Sequence, residues 1–92
     1  MERIARKFII SGEVQGVGYR FFAQRSSARH QVRGYVKNLK DGRVEVLAEG
    51  LAWAVEDFKY DLAAGPKHSR VGLIEEIVVD PSGLYSTFRI ER

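Results

Sequence analysis

The 92-residue chain contains no cysteine and no apolar run long enough to span a membrane. The lack of cysteine excludes disulfides, thiolate metal sites and a cysteine nucleophile, and it agrees with a cytoplasmic location. The N-terminal residues lack the small-residue cleavage site of a signal peptide. The length suits one small domain over residues 1–92, with an ordinary globular composition of 45% hydrophobic residues. We expect a monomer, since no cysteine is available to link chains.

Several familiar catalytic and phosphate-binding motifs are also absent. The chain has no G-x-x-x-x-G-K-[ST] loop, no G-x-G-x-x-G fingerprint and no G-x-S-x-G elbow. Its two histidines, His30 and His68, share no ligand spacing with each other or with a carboxylate pair, and no acidic cluster suits Mg²⁺. We therefore expect a site with neither a metal nor a cofactor.

Charge is distributed unevenly, although the net charge is a modest +3. No acidic residue occurs between Glu13 and Asp41, whereas basic residues recur there at Arg20, Arg25, Arg29, Arg33, Lys37 and Lys40. A solvated basic helix face is the better interpretation of Arg25 and Arg29. The segment as a whole can also create a field that attracts small anions.

A glycine-rich turn is the most informative motif of the chain. Residues 12–20, with the sequence G-E-V-Q-G-V-G-Y-R, follow an apolar strand and place an arginine at the start of a helix. Glycines permit positive φ angles, through which several backbone N–H groups can converge on one anion. The helix dipole disfavours a cation such as Arg20 in the first turn, and a bound anion would remove that conflict. The turn predicts an oxyanion site, most simply for phosphate.

Hydrophobic periodicity predicts a βαββαβ order followed by a short C-terminal strand. This order is typical of an α+β, ferredoxin-like split βαβ sandwich, with one sheet and both helices on one face. A bulge is expected near Glu75-Glu76, and Asp41-Gly42 indicates a tight hairpin. The predicted helices are 20–30 and 51–62, and the predicted strands are 7–12, 32–37, 44–49, 71–79 and 87–90.

The predicted topology brings a second polar residue to the glycine turn. Asn38 lies at the end of the second strand, and the turn leaves the end of the first. Parallel strands of a βαβ unit end at the same edge of the sheet, so Asn38 should lie beside Arg20. An asparagine at a strand end usually serves turn formation. Its place beside an anion site favours a role in binding a water or a substrate oxygen.

These few groups restrict the reactions that the site could catalyse. A phosphate monoester has an alkoxide leaving group, which needs an acid or a metal, whereas an acyl phosphate releases a carboxylate without a proton. Backbone amides and Arg20 can bind the phosphoryl oxygens, and the Asn38 amide can hold a water in line with the leaving oxygen. A proton of that water can pass to a substrate oxygen, so no side-chain base is required.

Two motifs resemble the signatures of the acylphosphatase family. The first is residues 12–20, and the second is G-Y-V-x-N-x-x-D-G-x-V-E at residues 34–45. The resemblance continues through Gly65-Pro66, residues 69–71 and Phe88-x-Ile90, so it covers nearly the whole chain. It implies the ferredoxin-like fold and metal-independent hydrolysis of acyl phosphates to carboxylate and inorganic phosphate.

The resemblance also implies roles for individual residues. The family's phosphate-binding arginine corresponds to Arg20, and the asparagine that positions the attacking water corresponds to Asn38. Inorganic phosphate and sulfate are expected inhibitors, since either could occupy the same site. The phosphate cradle would be the loop backbone of Gln15, Gly16, Val17, Gly18 and Tyr19. The sequence does not indicate a pocket for the acyl group.

The chain departs from the family pattern at three places. Tyr19 replaces a more frequent Phe and Tyr35 a more frequent Trp, and both substitutions keep an aromatic ring. His30-Gln31 stands where Leu-Gly is common at the end of the first helix. Gln31 is a poorer left-handed cap than glycine, at a cost of about 1 kcal/mol.

Two other function classes remain as alternatives. An RNA-binding module shares a similar sheet topology, but Val36 and Lys37 do not fit the RNP1 pattern that Arg33-Gly34-Tyr35 begins. A domain that binds phosphate or a metabolite without turnover would not need a water-orienting Asn38. Some larger maturation proteins carry a similar domain at their N-terminus, and we expect a free-standing enzyme here. We expect acyl phosphates as substrates, and neither nucleic acid nor a membrane as a partner.

Overall fold

The computed structural model describes residues 2–92, and these residues form five strands and two helices in the predicted order. The α+β, ferredoxin-like prediction is confirmed by this order and by the sheet described below. The elements are β1 (Arg3–Glu13), α1 (Tyr19–His30), β2 (Arg33–Asn38), β3 (Val44–Leu51), α2 (Ala52–Ala64), β4 (Arg70–Val79) and β5 (Phe88–Glu91). Within residues 2–92, no helix is both long and apolar enough to cross a membrane.

The strands form one mixed sheet in the order β4-β1-β3-β2-β5. Both β1 and β2 pair antiparallel with β3, which lies between them, so β1 and β2 run in the same direction. Strand β4 pairs antiparallel with β1, and β5 pairs parallel with β2. This arrangement places the carboxyl ends of β1 and β2 at one edge of the sheet.

One hydrophobic core joins the sheet to both helices. In β1, Phe8 and Ile10 are fully buried and alternate with less buried neighbours, as a strand with one covered face requires. Phe58 and Leu62 of α2 lie one helical turn apart and are also fully buried. The rings of Phe58 and Phe88 meet edge to face, 5.6 Å between centroids, and connect α2 to β5.

A polar cluster centred on Asp61 connects the C-terminal half of α1 to α2. Ser26 Oγ donates to Asp61 Oδ2 at 2.6 Å, and Arg29 Nη2 donates to the same oxygen at 3.0 Å. His30 Nε2 lies 2.9 Å from that oxygen. Ser26 is fully buried, so this carboxylate satisfies a hydroxyl that water does not reach. His30 therefore has a structural environment in the helix pair.

The predicted bulge position is wrong. Glu75 and Glu76 pair in regular register with Ile9 and Phe8. The register shift instead lies between Ser11 and Gly12, which pair with Leu73 and Val71 and leave Gly72 as the extra residue. The reason is steric: Gly12 has a φ of 124°, and a Cβ there would lie 2.1 Å from the Arg70 carbonyl oxygen. Only glycine allows β1 and β4 to approach this closely, so the bulge lies at Gly12 and not at the paired glutamates.

Candidate active site

The glycine loop between β1 and α1 turns on two left-handed residues. Gly16 and Gly18 have φ angles of 76° and 77°, and a Cβ at either would meet nothing within 4 Å. Glycine is therefore required here by backbone conformation and not by lack of space. Gly18 is the N-cap of α1 and provides no side-chain cap. In the part of the chain that is described, the N–H groups of residues 16–19 have no hydrogen-bonded acceptor.

The loop, the start of α1 and the end of β2 enclose a pocket of about 120 Å³. Arg20 and Asn38 both line it, as the topology predicted, although they lie on different elements. The full lining is Val14, Gly16, Gly18, Tyr19, Arg20, Phe21 and Asn38. The predicted cradle residues Gln15 and Val17 are not part of this lining; Val17 packs against the hydrophobic core. The pocket therefore combines backbone donors, one cation and one amide.

Arg20 is held in place without an ion pair. Its Nη1 donates to the carbonyl oxygen of Glu91, 3.2 Å away at the end of β5. Among residues 2–92, no carboxylate lies within 4.0 Å of its guanidinium. A carbonyl partner orients the side chain and leaves its full positive charge for an anion in the pocket.

The Gln15 side chain fixes the loop beside Asn38. Its Nε2 donates to the carbonyl oxygens of Leu39 at 2.8 Å and Arg43 at 2.9 Å, at the β2–β3 hairpin. This bridge spans the two elements that supply the pocket's catalytic candidates. Sequence reasoning assigned only the Gln15 backbone to the site, because carbonyl acceptors leave no signature in the sequence.

Tyr19 lines the pocket and also belongs to the hydrophobic core. The side chain is almost fully buried, and its hydroxyl donates to the Leu62 carbonyl oxygen at 2.6 Å. Burial raises the pKa of Tyr19 well above its usual value, so the phenol stays neutral. The hydroxyl, which is the group that Tyr19 adds to the more frequent Phe, therefore connects α1 to α2.

Among residues 2–92, no Asp, Glu, His or Cys side chain lines the pocket. Across residues 2–92, no group of three such side chains is placed to hold a metal ion. His30 contacts Asp61, and His68 lies in the α2–β4 connection, so neither lines the pocket.

A larger cavity of about 570 Å³ lies at the other end of β2, near Arg33 and Trp53. It contains neither Arg20 nor Asn38, and the glycine loop does not reach it. The smaller pocket instead has loop N–H groups without an acceptor and the unneutralised Arg20, so it is the candidate anion site.

Comparison with known proteins identifies the family of the chain. The family model described as Acylphosphatase matches residues 6–90. The chain belongs to the acylphosphatase family. Among acylphosphatases, it is 40% identical over 86 residues to that of Koribacter versatilis, covering 94% of this chain and 78% of the relative. It is 46% identical over 76 residues to that of Thermus thermophilus, covering 83% and 86%.

A solved acylphosphatase has the same fold. The crystal structure of acylphosphatase from Bacillus subtilis superposes with a TM-score of 0.93 at 35% identity, covering 97% of this chain and 99% of that one. Acylphosphatases are hydrolases, so the prediction of an enzyme is confirmed, and membership in the family suggested by the two motifs is confirmed with it.

Proposed function

We propose that the protein hydrolyses the carboxyl–phosphate bond of acyl phosphates without a metal, using Arg20 and Asn38 as its catalytic residues. The observation that carries the proposal is their meeting in one small pocket beside a loop with free N–H donors. Family membership supports the substrate class.

The first task of the site is to bind the phosphoryl group. The loop backbone from residues 15 to 19 and the N-terminus of α1 supply donors and a partial positive charge. Arg20, oriented by the Glu91 carbonyl, adds a full charge and directional N–H donors. Together they stabilise the charge on the equatorial phosphoryl oxygens in the transition state.

The second task is to place the attacking water. The Asn38 amide can accept a hydrogen bond from water and donate another, which fixes the direction of the oxygen lone pair. The water oxygen then bonds to phosphorus while the bond from phosphorus to the acyl oxygen breaks, and the carboxylate leaves with the electron pair. A water proton passes to a phosphoryl oxygen of the substrate, so the pocket's lack of a side-chain base is compatible with the reaction.

Benzoyl phosphate hydrolysis in excess EDTA tests this mechanism. Wild-type protein should turn over, and Arg20→Gln and Asn38→Ala should each lower kcat/KM by about 100-fold or more, as loss of one preorganised donor does elsewhere. Arg25→Gln is the matched control, because Arg25 is an exposed arginine of the same helix outside the pocket. Circular dichroism should show every variant folded.

Two results would overturn the proposal. Loss of turnover on adding EDTA, restored by a divalent cation, would show that a metal is required. Folded protein that binds inorganic phosphate but does not accelerate hydrolysis would instead be a phosphate-binding domain without turnover.

A further inference from the structure

Phe21 is an exposed aromatic side chain at the rim of the phosphate pocket. Of the three large apolar residues in the lining, Val14 and Tyr19 are almost fully buried, whereas Phe21 is 61% exposed. Exposed aromatics on a protein surface frequently mark a binding contact when they adjoin a functional pocket. The question is what this ring contacts.

Helix α1 directs Phe21 away from the core. The buried positions near its start are Tyr19 and Ala23, four residues apart on one face, and Phe21 lies between them on the opposite side. Its neighbour Phe22 instead packs against Tyr19, with ring centroids 6.0 Å apart. Phe21 is therefore not required by the core.

The pocket is large enough for only part of an acyl phosphate. A volume of about 120 Å³ is well below the ~300 Å³ or more of sites that enclose a whole organic ligand, so it suits the phosphoryl group alone. The acyl group must then extend to the rim. The polar side chains of the lining have other duties: Arg20 and Asn38 serve the phosphate and the water, and the Tyr19 hydroxyl is bonded to Leu62.

We propose that Phe21 forms an acyl subsite that favours planar, apolar acyl groups, aromatic ones above all. This inference rests on the proposed function, because it assigns the other half of the same substrate. An aromatic acyl group would meet the Phe21 ring in an offset or edge-to-face arrangement, the geometries that aromatic pairs prefer. A small acyl group such as acetyl would gain much less from the same contact.

A binding experiment tests the subsite without relying on turnover. Phenyl phosphate and methyl phosphate carry the same phosphoryl group on an aromatic and on a small substituent, and calorimetry gives both affinities. The wild-type preference for phenyl phosphate should fall roughly 3- to 10-fold in Phe21→Ala, from the usual strength of aromatic contacts. Phe21→Tyr should restore it, and Phe21→Leu should restore it in part.

Tyr60→Ala is the matched control, because Tyr60 is a 71% exposed aromatic on α2 that does not line the pocket. It should leave the preference unchanged. An unchanged preference in folded Phe21→Ala, or an equal fall in Tyr60→Ala, would overturn the subsite.

Turnover separates this inference from the function on which it rests. The ratio of kcat/KM for benzoyl phosphate to that for acetyl phosphate should fall with Phe21→Ala by a factor similar to the binding preference. Absence of turnover with both substrates would overturn the proposed function, while a lower phenyl preference in the variant would still support an aromatic subsite. Failure of phenyl phosphate to bind more tightly than methyl phosphate would overturn the subsite, while benzoyl phosphate turnover would still decide the proposed function.

Discussion

The two ends of helix α1 treat positive charge in opposite ways. At the C-terminal end, Arg29 and His30 lie where the helix dipole favours cations, and both contact Asp61. At the N-terminal end, Arg20 lies where the dipole disfavours a cation, and among residues 2–92 its one hydrogen-bond partner is the Glu91 carbonyl. Basic side chains therefore stabilise the C-terminal end of α1, whereas the basic side chain at its N-terminal end is unfavourable for the helix.

The contrast extends to the backbone. The last turn is closed, since the N–H groups of Gln31 and Val32 donate to the carbonyl oxygens of Ala28 and Ser27. The first turn begins at a left-handed Gly18 with no side-chain cap and no acidic residue. Open donors beside an unneutralised arginine favour the binding of an anion there, which is the role that the proposed function gives to this end of the helix.

The largest effect should come from Arg20, and it should fall on activity and not on stability. Arg20→Gln should lower kcat/KM by about 100-fold or more while changing the free energy of unfolding by less than about 1 kcal/mol. Relief of the unfavourable dipole contact and loss of the hydrogen bond to Glu91 act in opposite directions and are of similar size. Urea denaturation beside benzoyl phosphate kinetics measures both. A variant that keeps its activity, or that unfolds several kcal/mol more easily, would contradict the contrast.

Binding of an anion at the N-terminal end of α1 should stabilise the folded protein. Inorganic phosphate or sulfate at 100 times its dissociation constant should stabilise the wild-type protein by about 2.7 kcal/mol, through mass action on the folded state. Either ion should also inhibit competitively. Thermal melts at constant ionic strength, with chloride as the control salt, measure the stabilisation. Arg20→Gln should lose most of it, and an equal shift in that variant would place the bound anion elsewhere.

At the C-terminal end of α1, a substitution should lower stability and leave activity unchanged. Asp61→Ala should lower the free energy of unfolding by about 1–3 kcal/mol, because it leaves the buried Ser26 hydroxyl without its acceptor and removes the contact with Arg29. The kcat/KM for benzoyl phosphate should stay near wild type, since Asp61 is outside the pocket. Asp57→Ala, at an exposed position of the same helix, is the control and should have little effect on either quantity.

The Asp61 contribution should also depend on pH. Burial raises the pKa of this carboxyl, but hydrogen bonds from Ser26, His30 and Arg29 outweigh burial and hold it below its ordinary value of 3.8. The unfolded state therefore binds the proton more readily, and stability from this group is lost as pH falls below about 4. The difference in unfolding free energy between wild type and Asp61→Ala should be constant near neutrality and shrink in acid. A difference that grows in acid would contradict a lowered pKa of Asp61 in the folded state.

The kind of contact determined how much of the fold and of the candidate site could be predicted from the sequence. Periodicity and turn residues predicted the element order, and the parallel relation of β1 and β2 predicted that Arg20 and Asn38 would meet. Contacts with main-chain carbonyls could not be predicted, because any residue can supply them. The Gln15 bridge to the β2–β3 hairpin and the Glu91 partner of Arg20 belong to this class.

The misplaced bulge and the missed Phe21 have related causes. Adjacent glutamates interrupt an apolar run and suggested an irregular strand, but the bulge depends on how closely Gly12 approaches β4, which sequence does not reveal. Phe21 and Phe22 look alike in the sequence, and only the phase of the helix separates the exposed ring from the one packed on Tyr19. A one-residue difference in helix phase therefore distinguishes the ring packed on Tyr19 from the proposed acyl contact.

The smallest effect should come from Gln31, the one residue of the C-terminal end that is not arranged for stability. It adopts φ 56° and ψ 41°, the left-handed conformation that the sequence predicted glycine would serve better. Gln31→Gly should raise the free energy of unfolding by about 1 kcal/mol, because release of this strain exceeds the added entropy of the unfolded chain. Ala28→Gly, at an exposed right-handed position of the same helix, should instead lower it by about 0.5–1 kcal/mol. If the two substitutions change the free energy of unfolding in opposite directions, the cost of Gln31 lies in its left-handed cap conformation. If both lower it, the effect comes from added chain flexibility, and Gln31 is as good a cap as glycine.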